Sequence, residues 1–182
     1  MVLGGIVERA GKFGKIKRTF VFDREGITEL HGDWHGRIVR SFIYEEDGNT
    51  ITEREGGKGG KVMSTFRFEP GGVTEGTGTA YGKIVRTYEY EDGGKGVLER
   101  DGGKYGKVVR VYLHEQRGIS EIEGKGYGEP KRTFVFEKDG KSMTEREKGW
   151  FGEVKRTFVF EGIKPDILNN PEIFLQFILL IR

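Results

Sequence analysis

Apolar and polar positions along this chain repeat with a period that alternates between two lengths. With Gly14, Gly36, Gly60, Gly82, Gly106, Gly128 and Gly152 as anchors, the spacings are 22, 24, 22, 24, 22 and 24 residues. Two positions after the anchors stand Ile16, Ile38, Val62, Ile84, Val108, Pro130 and Val154, and four after them Arg18, Arg40, Ser64, Arg86, Arg110, Arg132 and Arg156. Six after them every residue is aromatic: Phe20, Phe42, Phe66, Tyr88, Tyr112, Phe134 and Phe158. Eight after them come Phe22, Tyr44, Phe68, Tyr90, His114, Phe136 and Phe160. These last two registers hold 13 of the 20 Phe and Tyr residues, too many for chance. Even offsets share one face of a β-strand, so each anchor opens a strand with an apolar, Arg, aromatic, aromatic face. Residues between them, such as Lys17, Thr19 and Val21, form a mixed opposite face.

Each such strand ends in an acid and a turn, either short, as in Asp23-Arg24-Glu25-Gly26, or two residues longer, as in Glu45-Glu46-Asp47-Gly48-Asn49-Thr50. Gly and Asp supply the backbone angles that hairpin turns need. A two-residue difference preserves strand parity, so the alternation is compatible with one continuous sheet. The returning strand carries an apolar residue and then an acid: Ile27 and Glu29, Ile51 and Glu53, Val73 and Glu75, Val97 and Glu99, Ile119 and Glu121, Met143 and Glu145. Pairing Tyr44 with Ile51 across the loop aligns Arg40 with Glu55. The same count aligns Arg86 with Asp101, Arg110 with Glu123, Arg132 with Glu147, and uncharged Ser64 with uncharged Thr77. On the other side Arg40 faces Glu29 and Arg86 faces Glu75. Opposite charges facing across strands stabilise by roughly 0.2–1 kcal/mol each. The pattern predicts an ion ladder running round the sheet.

Seven hairpins of ~23 residues give about 14 antiparallel strands, and closing them into a barrel removes both sheet edges. The expected fold is all-β: a closed, antiparallel up-and-down barrel over residues 1–162. At ~4.8 Å per strand and ~40° of tilt its backbone radius is about 14 Å, too wide for its own side chains to fill. After Gly162 the repeat stops, and Asn170-Pro171-Glu172 has the form of a helix start. Ile173, Phe174, Leu175, Phe177, Ile178, Leu180 and Ile181 then surround the helix instead of lining one stripe, which calls for burial on all sides. Residues 163–182 are therefore expected to plug the bore within the same domain. The alternative packs this helix against another chain.

Composition adds limits. Apolar residues make up 35% of 182, glycines number 31 against 4 prolines, and 31 basic residues nearly balance 29 acidic ones. That balance gives no strong pull toward nucleic acid or anionic membranes. Cysteine is absent, which excludes disulfides and thiol chemistry. Met1–Glu8 lacks the features of a secretory signal, and the run from Ile173 to Ile181 is about half a membrane span, so a cytoplasmic location is expected. Only five Asn and Gln residues among many Lys, Arg and Glu make the composition thermophile-like.

His31, Asp33 and His35 form the one local cluster with metal-ligand chemistry. His31, however, falls in the register of Glu55, Asp101, Glu123 and Glu147, and His35 in that of Tyr81, Tyr105, Tyr127 and Phe151, which favours ordinary turn residues. The acids recur in every hairpin, whereas an active site breaks symmetry, so a structural ladder is favoured over acid–base catalysis. The many glycines form no phosphate-cradling strand-to-helix turn. The Arg-Thr-Phe-Val-Phe segments mix basic and aromatic residues as single-strand binders do, but rings facing inward would be core. Five of the seven residues after the anchors are basic (Lys15, Arg37, Lys61, Lys83, Lys107) and make a charged rim. The reading is a non-enzymatic barrel with no cofactor, a scaffold or a holder of a small apolar ligand beside or in place of the helix. Its alternative is a module that engages protein, another copy of itself, or single-stranded nucleic acid through the helix or the rim.

Overall fold

Each anchor opens one hairpin, and fourteen strands follow one another round a ring in chain order. The structure is a computed structural model that describes residues 3–79, 82–91 and 95–182; Tyr81 of the aromatic register lies outside the described residues. The strands are β1 (Gly4–Ala10), β2 (Ile16–Asp23), β3 (Gly26–His31), β4 (Ile38–Tyr44), β5 (Thr50–Glu55), β6 (Val62–Glu69) and β7 (Gly72–Thr77). They continue as β8 (Ile84–Tyr90), β9 (Gly96–Asp101), β10 (Val108–Glu115), β11 (Gly118–Glu123), β12 (Arg132–Phe136), β13 (Ser142–Glu147) and β14 (Val154–Glu161). A 3-10 turn (Pro165–Asn169) then leads into the helix α1 (Pro171–Ile181). All neighbours are antiparallel, and β1 pairs with β14 to close the barrel.

The closing strand is the partner that the last hairpin lacks. Ile6 and Glu8 of β1 repeat the apolar-then-acid pair of the other returning strands. Ile6 lies opposite Phe160 and Phe20, and Glu8 opposite Phe158 and Arg18. The start of the chain thus completes a hairpin begun by β14.

The registers expected from loop length are present: Arg40 opposite Glu55, Arg86 opposite Asp101, Arg110 opposite Glu123, Arg132 opposite Glu147 and Ser64 opposite Thr77. One feature departs from strict alternation. At most junctions of a returning strand with the next outgoing one, though not at β11–β12, the register slips at the same place, for example between Glu29 and Leu30. Val39 is left without a partner there, and the slip recurs at Glu8/Arg9, Glu53/Arg54, Glu75/Gly76 and Glu145/Arg146. A β-bulge bends and twists the strand at that point. It also takes the position two after the anchor off the core face, so Ile38 and Ile84 are exposed rather than packed with the aromatics. The anchor glycines follow from close approach: a methyl group on Gly36 or Gly60 would fall 1.9 or 1.7 Å from the carbonyl oxygen of His31 or Glu55.

The aromatic face is the inner one. Phe20, Phe42, Phe66, Tyr88, Tyr112, Phe134 and Phe158, with the apolar residues of the returning strands, form one core together with α1. The helix lies inside the barrel of its own chain, with Phe174, Leu175 and Ile178 fully buried. Each buried side chain of this size stabilises by roughly 1.5–3 kcal/mol. Asn170 Oδ1 accepts from the backbone N–H groups of Glu172 (2.9 Å) and Ile173 (3.2 Å), which caps the helix as its sequence predicts. Phe174 and Phe177 meet the wall edge-on, at 5.5 Å from Tyr112 and 5.0 Å from Phe158 between ring centroids. Among the described residues no helix is long and apolar enough to cross a membrane.

Candidate functional site

Two features inside the barrel carry its chemistry: a charged ring at one end of the helix and an apolar cleft along its side. The ring is built from the ladder: Arg40 meets Glu29 as expected, whereas Glu55, Asp101, Glu123 and Glu147 do not pair with the arginines they face, and Arg86 turns to Glu99 instead of Glu75. Arg40 bonds Glu29 and, at 2.7 Å, Glu53, whereas Glu55 is exposed. Arg110 reaches Glu99 at 3.2 Å and Arg132 bonds Glu121. Arg86 reaches Glu99 at 3.2 Å and makes no ion pair with Asp101. Glu123 and Glu147 pair instead with Lys131 and Lys155 at the surface. The cause is the length of the arginine side chain. An arginine stem is longer than the spacing between paired strands, and its guanidinium lies back over the aromatic ring two residues on. Arg18, Arg40, Arg132 and Arg156 sit 5.0–5.3 Å from the centroids of Phe20, Phe42, Phe134 and Phe158. The acids level with those rings are Glu8, Glu29, Glu53, Glu75, Glu99, Glu121 and Glu145, and these close the ring.

Seven glutamates face only six strand arginines, because Ser64 stands where the pattern calls for arginine. Arg182, beyond the last turn of α1, supplies the seventh guanidinium. It bonds Glu75 at 2.8 Å, approaches Glu99 at 3.6 Å and stacks over Tyr88 at 5.1 Å, the place that Arg86 would otherwise take. The ring also receives the end of the helix. Arg18 and Arg156 each donate to the Ile181 carbonyl at 3.0 Å, and Arg40 donates to that of Leu180 at 2.6 Å. The last carbonyls of a helix have no partner within it and carry its negative end, so cations there stabilise it. Tyr88 and Tyr112 complete the network by donating to Glu75 and Glu99 at 3.1 and 3.2 Å. Glu99 is fully buried, and burial pushes its carboxyl above the usual range even with Arg110 and Arg86 beside it.

The cleft lies where α1 leaves the wall. The helix seats against β9, whose inward residue is Val97, and β9 stands half-way round the barrel from β2. On the far side, along β1–β3, a cavity of about 310 Å³ remains. Ile6, Phe22 and Ile27 line it from the wall, Ile173 and Phe177 from the helix, and Leu168 from the turn before it. Three polar side chains, those of Asp23, Tyr44 and Gln176, stand among these apolar ones. For Asp23 burial acts upward, but the Glu25 N–H and Lys58 outweigh it and hold the carboxyl below its usual range. Burial, with the Asp23 charge, pushes the Tyr44 phenol up, which keeps it a hydrogen-bond donor. The cleft offers an apolar body with a carboxylate, a phenol and an amide for one polar end of a ligand. Its presence depends on where the helix seats, which no local pattern encodes.

His31, Asp33 and His35 are all exposed, and the Asp33 carboxylate accepts from the His35 backbone N–H at 3.0 Å within the turn. The structure brings no group of three metal-binding side chains together among the described residues. His114 occupies its aromatic slot against Phe174, at 5.2 Å between centroids. Both of its ring nitrogens are buried without a hydrogen-bond partner, and burial lowers its pKa to about 4. No family model matches the chain, and no curated protein matches it.

Proposed function

We propose that this chain is a non-enzymatic binding barrel that holds a small, largely apolar molecule in the cleft between α1 and the β1–β3 wall. One observation carries this reading: a helix otherwise packed on every side leaves about 310 Å³ of apolar space next to three polar side chains. Small-molecule sites are of this size and makeup, with few polar groups among many apolar ones. The rest of the barrel is suited to holding such a pocket in shape, because the ring grips the helix at its far end. The outward strand residues Arg54, Arg67, Glu89, Arg100 and Arg146 fit a barrel surrounded by water, the reverse of the apolar band a membrane barrel presents. We place it in the cytoplasm.

The test is titration with N-phenyl-1-naphthylamine, a neutral apolar fluorophore. Saturable one-to-one enhancement is expected, and Ile167→Trp at the cleft should weaken it by about tenfold or more, as filling a pocket removes the space a ligand needs. Binding that does not saturate, or that Ile167→Trp leaves unchanged while the variant melts as the parent does, would refute the reading.

A further inference from the structure

At the anchor end, the β3–β4 and β5–β6 loops do not stand up from the barrel; they lie back over its outer wall. The Trp34 ring covers β1, where a methyl group on Gly5 would fall 2.4 Å from it. Lys58 reaches across two hairpins to Asp23 (3.2 Å) and Glu25 (2.6 Å). Loops folded this way display their tips around the circumference. Four tips carry aromatic rings that are almost fully in water: Tyr105 at 97%, Phe151 at 90%, Tyr127 at 88% and Phe13 at 86% exposed. They belong to successive loops, β9–β10, β11–β12, β13–β14 and β1–β2, and the next loop, β3–β4, continues them with exposed His35. Phe20, Phe42, Phe66, Tyr88, Tyr112, Phe134 and Phe158 are spent on the core, whereas this second aromatic set stands free in water.

Charge follows the same arc. The five loops, residues 101–107, 123–131, 147–155, 10–17 and 31–37, hold ten lysines and arginines against six acids. Among the described residues, Lys12, Lys15, Lys17, Arg37, Lys104, Lys107, Lys125 and Lys148 make no ion pair, while Glu123 pairs with Lys131, and Glu147 and Glu153 share Lys155. Beneath Phe13 lies a groove of about 520 Å³ in the outer wall, where Lys12 is joined by three more charges without ion-pair partners, those of Arg9, Lys138 and Lys141. The two acids there are already engaged, Glu137 by Thr144 and Arg146 and Asp139 by Ser142.

We propose that this arc is a binding surface for single-stranded nucleic acid. Bases would stack on the rings of Tyr105, Tyr127, Phe151 and Phe13, and phosphates would lie on the intervening lysines. Aromatic platforms combined with a cationic track are what sequence-tolerant single-strand binding requires. Successive hairpins set the rings roughly 10 Å or more apart round a curved wall, so a flexible polymer can follow them, whereas a flat bilayer meets a cylinder along one side only. The site is outside the barrel and independent of the cleft.

The test is fluorescence anisotropy of labelled oligothymidylate and oligouridylate with the full-length protein, titrated with salt from low ionic strength. Binding of either strand is expected, and a preference between them identifies the polymer. Replacing Phe13, Tyr127 and Phe151 together with serine should weaken binding by about 150-fold or more, from the usual worth of three stacked bases, without changing the melting temperature. Lys12→Gln with Lys104→Gln should make the dependence of log affinity on log salt shallower by about 0.7 for each phosphate no longer neutralised. The proposal is overturned if neither oligonucleotide binds at low salt. It is also overturned if the serine variant binds like the parent, or if anionic phosphatidylserine vesicles bind while both oligonucleotides do not.

Discussion

Individual side chains at two positions set the behaviour of this interior. His114 replaces an aromatic residue, has no partner for either nitrogen and has a pKa lowered to about 4 by burial. A base whose pKa is depressed on folding binds its proton more readily when unfolded. Its neutral form therefore stabilises the fold above the unfolded value of about 6.5, and this contribution is lost as pH falls from there through about 4. The loss amounts to about 3 kcal/mol at most. In His114→Phe, urea-unfolding free energies should lose this acid-side decline between those pH values, and an unchanged decline would mean that His114 does not cause it. Removing Arg182 leaves Glu75 and buried Glu99 short of positive charge, and Arg182→Ala should cost about 3 kcal/mol, the low end of the range for breaking a buried pair. Ser64→Arg would place a seventh guanidinium between Glu53 and Glu75 on the wall itself. The double variant Ser64→Arg/Arg182→Ala should recover much of the loss. Ser64→Arg alone should not stabilise, because Arg182 already supplies that charge. Additive losses in chemical denaturation would show that the ring is not one coupled network.

The elements divide into those legible along the chain and those that depend on three-dimensional seating. Hairpin register was readable because loop lengths differing by two keep every side chain on its face, so Arg40 lies opposite Glu55 and Ser64 opposite Thr77 as the count requires. Of the ion partners the same count places Glu29 beside Arg40, but it also places Glu55 there, which forms no ion pair with it, and it misses Glu53. The guanidinium settles over Phe42, and the acids within its reach are then Glu29 and Glu53. The bulge that leaves Val39 unpaired escaped for a related reason, since two residues facing one leaves no signature in an alternating pattern. The helix was readable from its cap and all-round apolarity, but the cleft beside it was not, because it arises from α1 seating against β9. Phe177 fills the space between α1 and the Phe134 and Phe158 rings, and it also borders the cleft. Phe177→Ala should lower stability by about 3–5 kcal/mol, as large-to-small core changes do, and should let the barrel take up bulkier apolar probes than the parent does. Lower stability without a change in probe size would separate the core from the cleft.

The molecule as a whole depends on a closure that the chain makes between its two ends. Six hairpins contain both their strands in order, but the seventh borrows β1 from the start of the chain, so the barrel can shut only after β14 has formed. That closing strand joins three layers at once. Its backbone pairs with β14 and β2, Ile6 enters the core between Phe160 and Phe20, and Glu8 bonds Arg18 at 2.6 Å and approaches Arg156 at 3.6 Å. Removing β1 would expose two strand edges, the kind of surface that pairs with other chains. It would also leave Arg18 and Arg156, the two arginines that hold the Ile181 carbonyl, without Glu8. A protein lacking residues 1–10 should therefore associate through β2 and β14 in sedimentation, and a peptide with the β1 sequence should return it to a monomer by filling the gap. Glu8→Gln in the intact chain keeps the backbone pairing and removes only the charge, so it should remain monomeric while melting at a lower temperature. If the truncated chain stayed monomeric and melted as the parent does, ring closure would not be what holds this barrel together, and the helix would have to be credited with organising the strands around itself.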